Sequence, residues 1–266
     1  MSAAKGLTFG REVKSEWIKF TTLRSTWITY AVALLLSLGI GALVTYLHGH
    51  DYATHTDHRA DDIFDPVVFT QTGVFLAQLA VGVMGVLCVT GEYATGMIRA
   101  SMTAIPKRTP VLLAKVVVFG LVTAAVSAIM TFGAFFIGQA ILTQWHMNTS
   151  IGASGVVRGL LGGAYYVTII GLIGLGLGFL LRNTAGAIAS LVGVVLILPI
   201  IASTLPSSWS DHINKYLPSN MVDHLISVVP HPSDNVLSRP IEFGLLAAYA
   251  LLALVLGWLV MKRKDV

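Results

Sequence analysis

The chain has 266 residues, 55% of them hydrophobic and only 11% charged, and its mean hydropathy is +0.77. Soluble chains carry roughly 25% charged residues, so this one cannot clothe a globular surface of its size in polar groups. A soluble enzyme, a nucleic-acid-binding domain and a disordered regulator are disfavoured on that ground, and the composition is that of an integral membrane protein. The formal charge of +4 therefore bears on orientation in a membrane rather than on nucleic acid.

The first segment, Thr8–Arg24, reads as an amphipathic helix. Phe9, Val13, Trp17 and Phe20 fall on one stripe of a helical wheel, with Arg11, Lys14 and Lys19 off it. A basic helix with aromatic anchors lies in the membrane interface, where anionic lipid headgroups attract its polar face. About 26 residues of polar, basic sequence precede the first apolar run, more than the short basic start of a cleavable signal.

A helix of about 20 apolar residues crosses the hydrocarbon layer, and six stretches qualify: 27–47, 67–90, 111–142, 159–181, 185–205 and 241–261. The runs are continuous and do not alternate in polarity, so transmembrane helices are expected rather than barrel strands. The third run is longer than one crossing needs. Arg182-Asn183-Thr184 makes a tight hairpin between the fourth and fifth, and Pro199 is expected to kink the fifth.

Lys and Arg set orientation. Twelve of the 17 basic residues fall before the first span, in the even-numbered connections or after the last span, and Lys115 lies just inside span three on the same side. Only Arg59, Arg158, Lys215 and Arg239 fall on the other side. Both termini are therefore expected in the cytoplasm, at the cell (plasma) membrane. The lone cysteine, Cys88, sits in an apolar run and permits no intrachain disulfide.

Polar residues within the spans are few. Gln71 and Gln78 are seven apart and share a face of an unbroken helix; with Thr131 and Gln139 they are candidates for a translocation path. Lys115 lies close enough to the end of its span to snorkel. Span four is dense in glycine, and Gly159/Gly163 and Gly174/Gly178 are small-xxx-small pairs suited to close helix packing. No Asp, Glu or His chain of the kind that serves proton- or sodium-driven carriers is visible at mid-membrane depth.

Three connections stand out. In the 91–110 loop, Thr95–Ala104 reads as a short helix ended by Ile105-Pro106. Its residues Met97, Ile98 and Met102 cannot span anything and require a partner, while Arg99, Lys107 and Arg108 add charge. The 206–240 segment holds five of the nine prolines and two helices too short to span, so it reads as an interfacial or re-entrant external hairpin. The loop between spans one and two contains His48, His50, His55 and His58 among aspartates. It reads as a solvated acidic connector, with metal binding as the alternative.

Glu92, Gly96, Ile98, Pro106 and Lys115, at these spacings, resemble the signature of type 2 ATP-binding-cassette (ABC) permeases, the type V ABC exporters. Met97 stands where threonine is usual. The resemblance covers nearly the whole chain, as a single permease domain over 1–266. It implies two soluble ABC ATPase subunits carrying ATP and Mg, and a second permease, identical or homologous. It also implies a coupling role for Glu92–Arg108 and an external gate around Leu217, Pro218, Met221 and Leu225. The chain has no phosphate-binding loop, zinc-helix motif or nucleophile elbow, so no enzyme activity or cofactor of its own is expected. The implied activity is export of a hydrophobic or amphipathic substrate such as a drug, antimicrobial peptide or lipid. The rival is a non-transporting membrane sensor or assembly factor with a metal-binding His/Asp-rich loop.

Overall fold

The computed structural model describes residues 9–54, 64–97, 108–229 and 236–263. They form α1 (Phe9–Thr22), α2 (Arg24–Thr54), α3 (Pro66–Thr70), α4 (Val74–Ala94), α5 (Arg108–Leu142), α6 (Val156–Leu181), α7 (Thr184–Ser203), α8 (Ser207–Asn214), α9 (Pro218–Ile226) and α10 (Arg239–Arg263). There is no strand among the described residues. Helices α2, α4, α5, α6, α7 and α10 are each long and apolar enough to cross a membrane. At 1.5 Å rise per residue, α5 is about 52 Å long against a hydrocarbon layer of about 30 Å.

Helix α6 is the centre of the bundle. In its most apolar window 67% of the residues are buried, against 22% for α7. It packs on α4, α10, α5, α7 and α9, while α2 lies against α4 and α5, and α1 crosses α5. The glycines make these contacts possible. A Cβ on Gly174 would stand 2.1 Å from the Gly82 carbonyl oxygen, and one on Gly85 would stand 2.1 Å from that of Gly171. The α4 and α6 backbones therefore touch directly, which only residues without side chains permit.

The second span is not continuous. Helix α3 ends at Thr70, a turn occupies 71–73, and α4 begins at Val74. Asp65 caps α3 by accepting from the Val67 and Val68 amides, with Pro66 in its first turn, a favoured start for a helix. At the break, a Cβ on Gly73 would lie 2.0 Å from the Ser37 carbonyl oxygen, so α2 closes tightly over it. Gln71 and Gln78, which share a face in an unbroken helix, bond different helices across this break: Gln71 reaches Thr131 on α5, and Gln78 meets Tyr166 on α6.

Pro199 does distort the fifth span, through a π-helical turn at Gly193–Ile197 within α7. A proline donates no hydrogen to the carbonyl four residues back. That carbonyl, on Val195, instead accepts from Ser219 Oγ at 2.5 Å, at the start of α9.

Candidate functional site

The side of the molecule carrying both ends of the described chain holds a buried ion cluster. Helix α1 has Glu12 in its first turn and Lys19 in its last, both favourable to the helix dipole. A one-residue interruption at Leu23 separates it from α2, and α1 packs on α5 as well as on α2. Its buried face is Glu12, Glu16 and Phe20.

Lys115, on the second turn of α5 and only 3% exposed, bonds Glu16 Oε2 at 2.7 Å and Glu92 Oε1 at 2.9 Å. Lys19 meets Glu16 Oε1 at 2.7 Å and Glu92 Oε1 at 3.5 Å. Two ammoniums and two carboxylates thus neutralise one another across α1, the end of α4 and the start of α5. Lys115 does not snorkel as its sequence position suggests, because two acceptors wait for it inside the protein.

Burial alone would lift the Glu16 carboxyl. The Lys115 ammonium, by charge and hydrogen bond, and then Lys19 outweigh burial and hold it below its ordinary range. Glu12, one turn earlier, is pushed up, by burial first and by the Glu16 charge second. Glu92 Oε2 and Glu12 Oε2 are buried without a hydrogen-bond partner among the described residues.

The aromatic stripe read from the sequence divides between two environments. Phe20 is buried and Val13 is half-buried against the core, whereas Phe9 and Trp17 are about half exposed. The wheel picked out the exposed Phe9 and Trp17 but not the acidic face, Glu12 and Glu16, that is buried beside Phe20.

Of the proposed coupling residues, Glu92 belongs to the ion cluster. Gly96 ends the helix in the left-handed region at φ 72°, where glycine is tolerated without strain. Met97 follows it, exposed. Ile98, Arg99, Met102, Pro106 and Lys107 lie outside the described residues, and Arg108 is the first residue of α5.

The four path candidates are all buried, and the three glutamines tie helices together. Gln71 Nε2 donates to the Thr131 carbonyl at 2.9 Å, and Gln139 Nε2 donates to the Pro66 carbonyl at 2.9 Å. Gln78 accepts from the Tyr166 hydroxyl, and the Thr131 hydroxyl bonds back to Ala128. Gln71 and Gln139 thus brace the α3–α4 break against α5.

On the opposite side, α8 is exposed while α9 is sunk into the bundle, with Leu217, Pro218, Met221 and Leu225 all buried. Helix α9 rests on the glycines of α6: a Cβ on Gly159 would lie 2.2 Å from the Ile226 carbonyl oxygen. Asp65 secures its end, for Oδ2 accepts from Ser227 Oγ at 2.9 Å and from the Val228 and Val229 amides at 2.8 and 3.1 Å. Arg158 and Arg239 donate to the Ser227 carbonyl at 2.9 and 3.2 Å, and His224 pairs with Glu242 at 2.8 Å. Sequence reasoning missed Asp65; an Asp-Pro pair before an apolar run was its available signal.

His48 and His50 lie on the last turns of α2, packed near Phe69 and near Tyr46 and Trp145 respectively. His55 and His58 lie outside the described residues. Among the described residues no three His, Cys, Asp or Glu side chains gather where they could hold a metal ion.

Six helices long and apolar enough to span a membrane thus carry the short helix α9 sunk into one end of the bundle and a charged junction of α1, α4 and α5 at the other. Residues 13–266 match the family described as ABC-2 family transporter protein, and the chain belongs to that family. No curated protein matches it. The matched region takes in every residue of the ion cluster and of α9.

Proposed function

We propose that this chain is the permease of an ABC exporter, driven by a separate soluble ATPase that carries ATP and Mg. Two permeases, identical or homologous, and two ATPases would form the working assembly in the cell membrane. The excess of Lys and Arg on the side of the termini supports a cytoplasmic location for both ends. The observation that carries the reading is the Glu16–Lys115–Glu92 cluster. It fastens the interfacial helix to the two spans flanking the 98–107 segment, so a push on that segment moves α1, α4 and α5 together.

Coupling then runs from a docked ATPase through Met97, Ile98, Arg99, Met102, Pro106, Lys107 and Arg108 to Glu92 and Gly96, and through Lys115 into α5. On the far side α9 closes the exit. Its release requires Asp65 and Ser219 to give up their bonds, and α6, on which it rests, is contacted directly by α4. Gln71, Gln78, Thr131 and Gln139 hold the spacing of the helices that the path runs between. The apolar surface of the bundle supports a hydrophobic or amphipathic cargo: a drug, a peptide or a lipid.

Purification of the full chain from its native membrane, with mass spectrometry of what accompanies it, tests the assignment. The expected companion is a soluble protein with a phosphate-binding loop. Recovery of the chain in functional form without one, or with bound zinc in its place, overturns the reading and favours the sensor or assembly factor.

A further inference from the structure

A cavity of about 230 Å³ opens beside the ion cluster, between α1, the first turns of α2 and the end of α4. Its wall has two characters. Phe20, Leu23, Met84, Leu87 and Met97 make an apolar side; Ser25, Thr26 and Thr29 contribute hydroxyls, and Glu16, Lys19, Glu92 and Lys115 contribute charge. Trp17 and Trp27, both about half exposed, flank the α1–α2 junction, and Trp marks the headgroup level of a bilayer.

The charges within the cavity differ in exposure. Lys115 is enclosed and holds both carboxylates closely. Lys19 is 27% exposed in its side chain and meets Glu92 at 3.5 Å. Glu92 Oε2 is buried and lacks a donor among the described residues, and such a group calls for an explanation in a native site.

We infer that this cavity binds the headgroup of one zwitterionic lipid bearing a phosphate and a primary ammonium, drawn from the leaflet on the side of the termini. Lys19 takes the phosphate and Glu92 takes the ammonium, while the lipid tails lie along Leu23 and Leu87 toward the bilayer. Charge decides the class of ligand. Among the described residues the cluster is neutral, with Lys19 and Lys115 against Glu16 and Glu92, and an ion entering a poorly hydrated site without a counterion is strongly disfavoured; a zwitterion preserves the balance. A primary ammonium donates hydrogen bonds, which a trimethylated ammonium cannot, and Glu92 Oε2 needs a donor. This inference goes beyond the transport reading, and its readout, bound lipid per chain, does not require an ATPase.

The test is native mass spectrometry of the full chain exchanged into an equimolar mixture of phosphatidylethanolamine, phosphatidylcholine and phosphatidylglycerol. One phosphatidylethanolamine per chain is expected to be retained, at least fivefold over either competitor, and Glu92→Gln and Lys19→Ala are each expected to abolish that preference. The unaltered protein supplies a second measurement through Cys88, which borders the cavity and is the chain's one cysteine. Its labelling by a small membrane-permeant thiol reagent is expected to be several-fold slower in phosphatidylethanolamine nanodiscs than in phosphatidylcholine nanodiscs. Equal retention of the three lipids, a preference for phosphatidylglycerol, or labelling indifferent to lipid overturns the proposal. Free inorganic phosphate or ethanolamine protecting Cys88 as well as the lipid does would show a small-ion site and overturn it too.

Discussion

Replacing Lys115 with methionine keeps the length and apolar stem of the side chain and removes the charge that two buried carboxylates share. Glu16 and Glu92 accept from Lys115 at 2.7 and 2.9 Å. Without it the cluster carries two negative charges and one positive, and the remaining ammonium, Lys19, sits 3.5 Å from Glu92. Removing one partner of a buried pair costs about 3–5 kcal/mol. Lys19 stays on Glu16 at 2.7 Å and is partly open to water, so the lower limit, about 3 kcal/mol, is expected. At about 2–4 °C per kcal/mol for a chain approaching this size, unfolding followed by tryptophan fluorescence in detergent should shift down by roughly 6–12 °C. The control is the pair Lys115→Met with Glu92→Gln, which leaves Glu16 and Lys19 balanced and should recover at least half of the loss. If Lys115→Met unfolds with wild type, or if the pair is no more stable than the single variant, the cluster does not hold α1 as argued.

Acid should release α1. The folded-state Glu16 carboxyl lies below its ordinary value of 4.5, so its contribution to stability is complete above that value and is lost as pH falls through the depressed folded value. Proteolysis near Leu23 is expected to accelerate below pH 4.5, with little change between pH 6 and 8; a loss centred near neutrality would point to another group. At the far side, Gly159→Ala places a methyl 2.2 Å from the Ile226 carbonyl oxygen and must lift α9, at about 1–3 kcal/mol for overpacking. A cysteine at position 221, in a chain whose Cys88 is replaced by serine, should then be labelled by an aqueous thiol reagent at least tenfold faster than with Gly159 intact; equal rates would contradict the seating of α9 on α6.

What could be read in advance follows from the range of the forces involved. The six spans are set by runs of apolar side chains against the thickness of a bilayer, a local property of sequence. The same holds for the distortion at Pro199 and the close packing of the α6 glycines. The acidic face of α1 was hidden because Glu16 looks like a solvated residue until Lys115, 99 positions away, is brought against it. The break at 71–73 was hidden for a related reason. Gly73 is there because α2 passes over it, and no feature of residues 67–90 alone reveals that neighbour. Glu92 and Gly96 were recognisable by spacing, yet their physical roles differ: one is an ion-pair partner, the other ends a helix with a left-handed residue. The aromatic stripe gave half an answer, since Phe20 turns inward while Trp17 stays at the surface.

Whether an ATPase moves the chain or the chain acts alone is decided by one reconstitution. Vesicles containing the full chain and the ATPase recovered with it are loaded with a fluorescent amphiphile, and its movement is followed on adding ATP and Mg. The expected result is transport that needs ATP and the ATPase together, and that falls at least tenfold in Lys115→Met while ATPase binding persists. Transport by the chain alone, or at an unchanged rate without ATP, would contradict it.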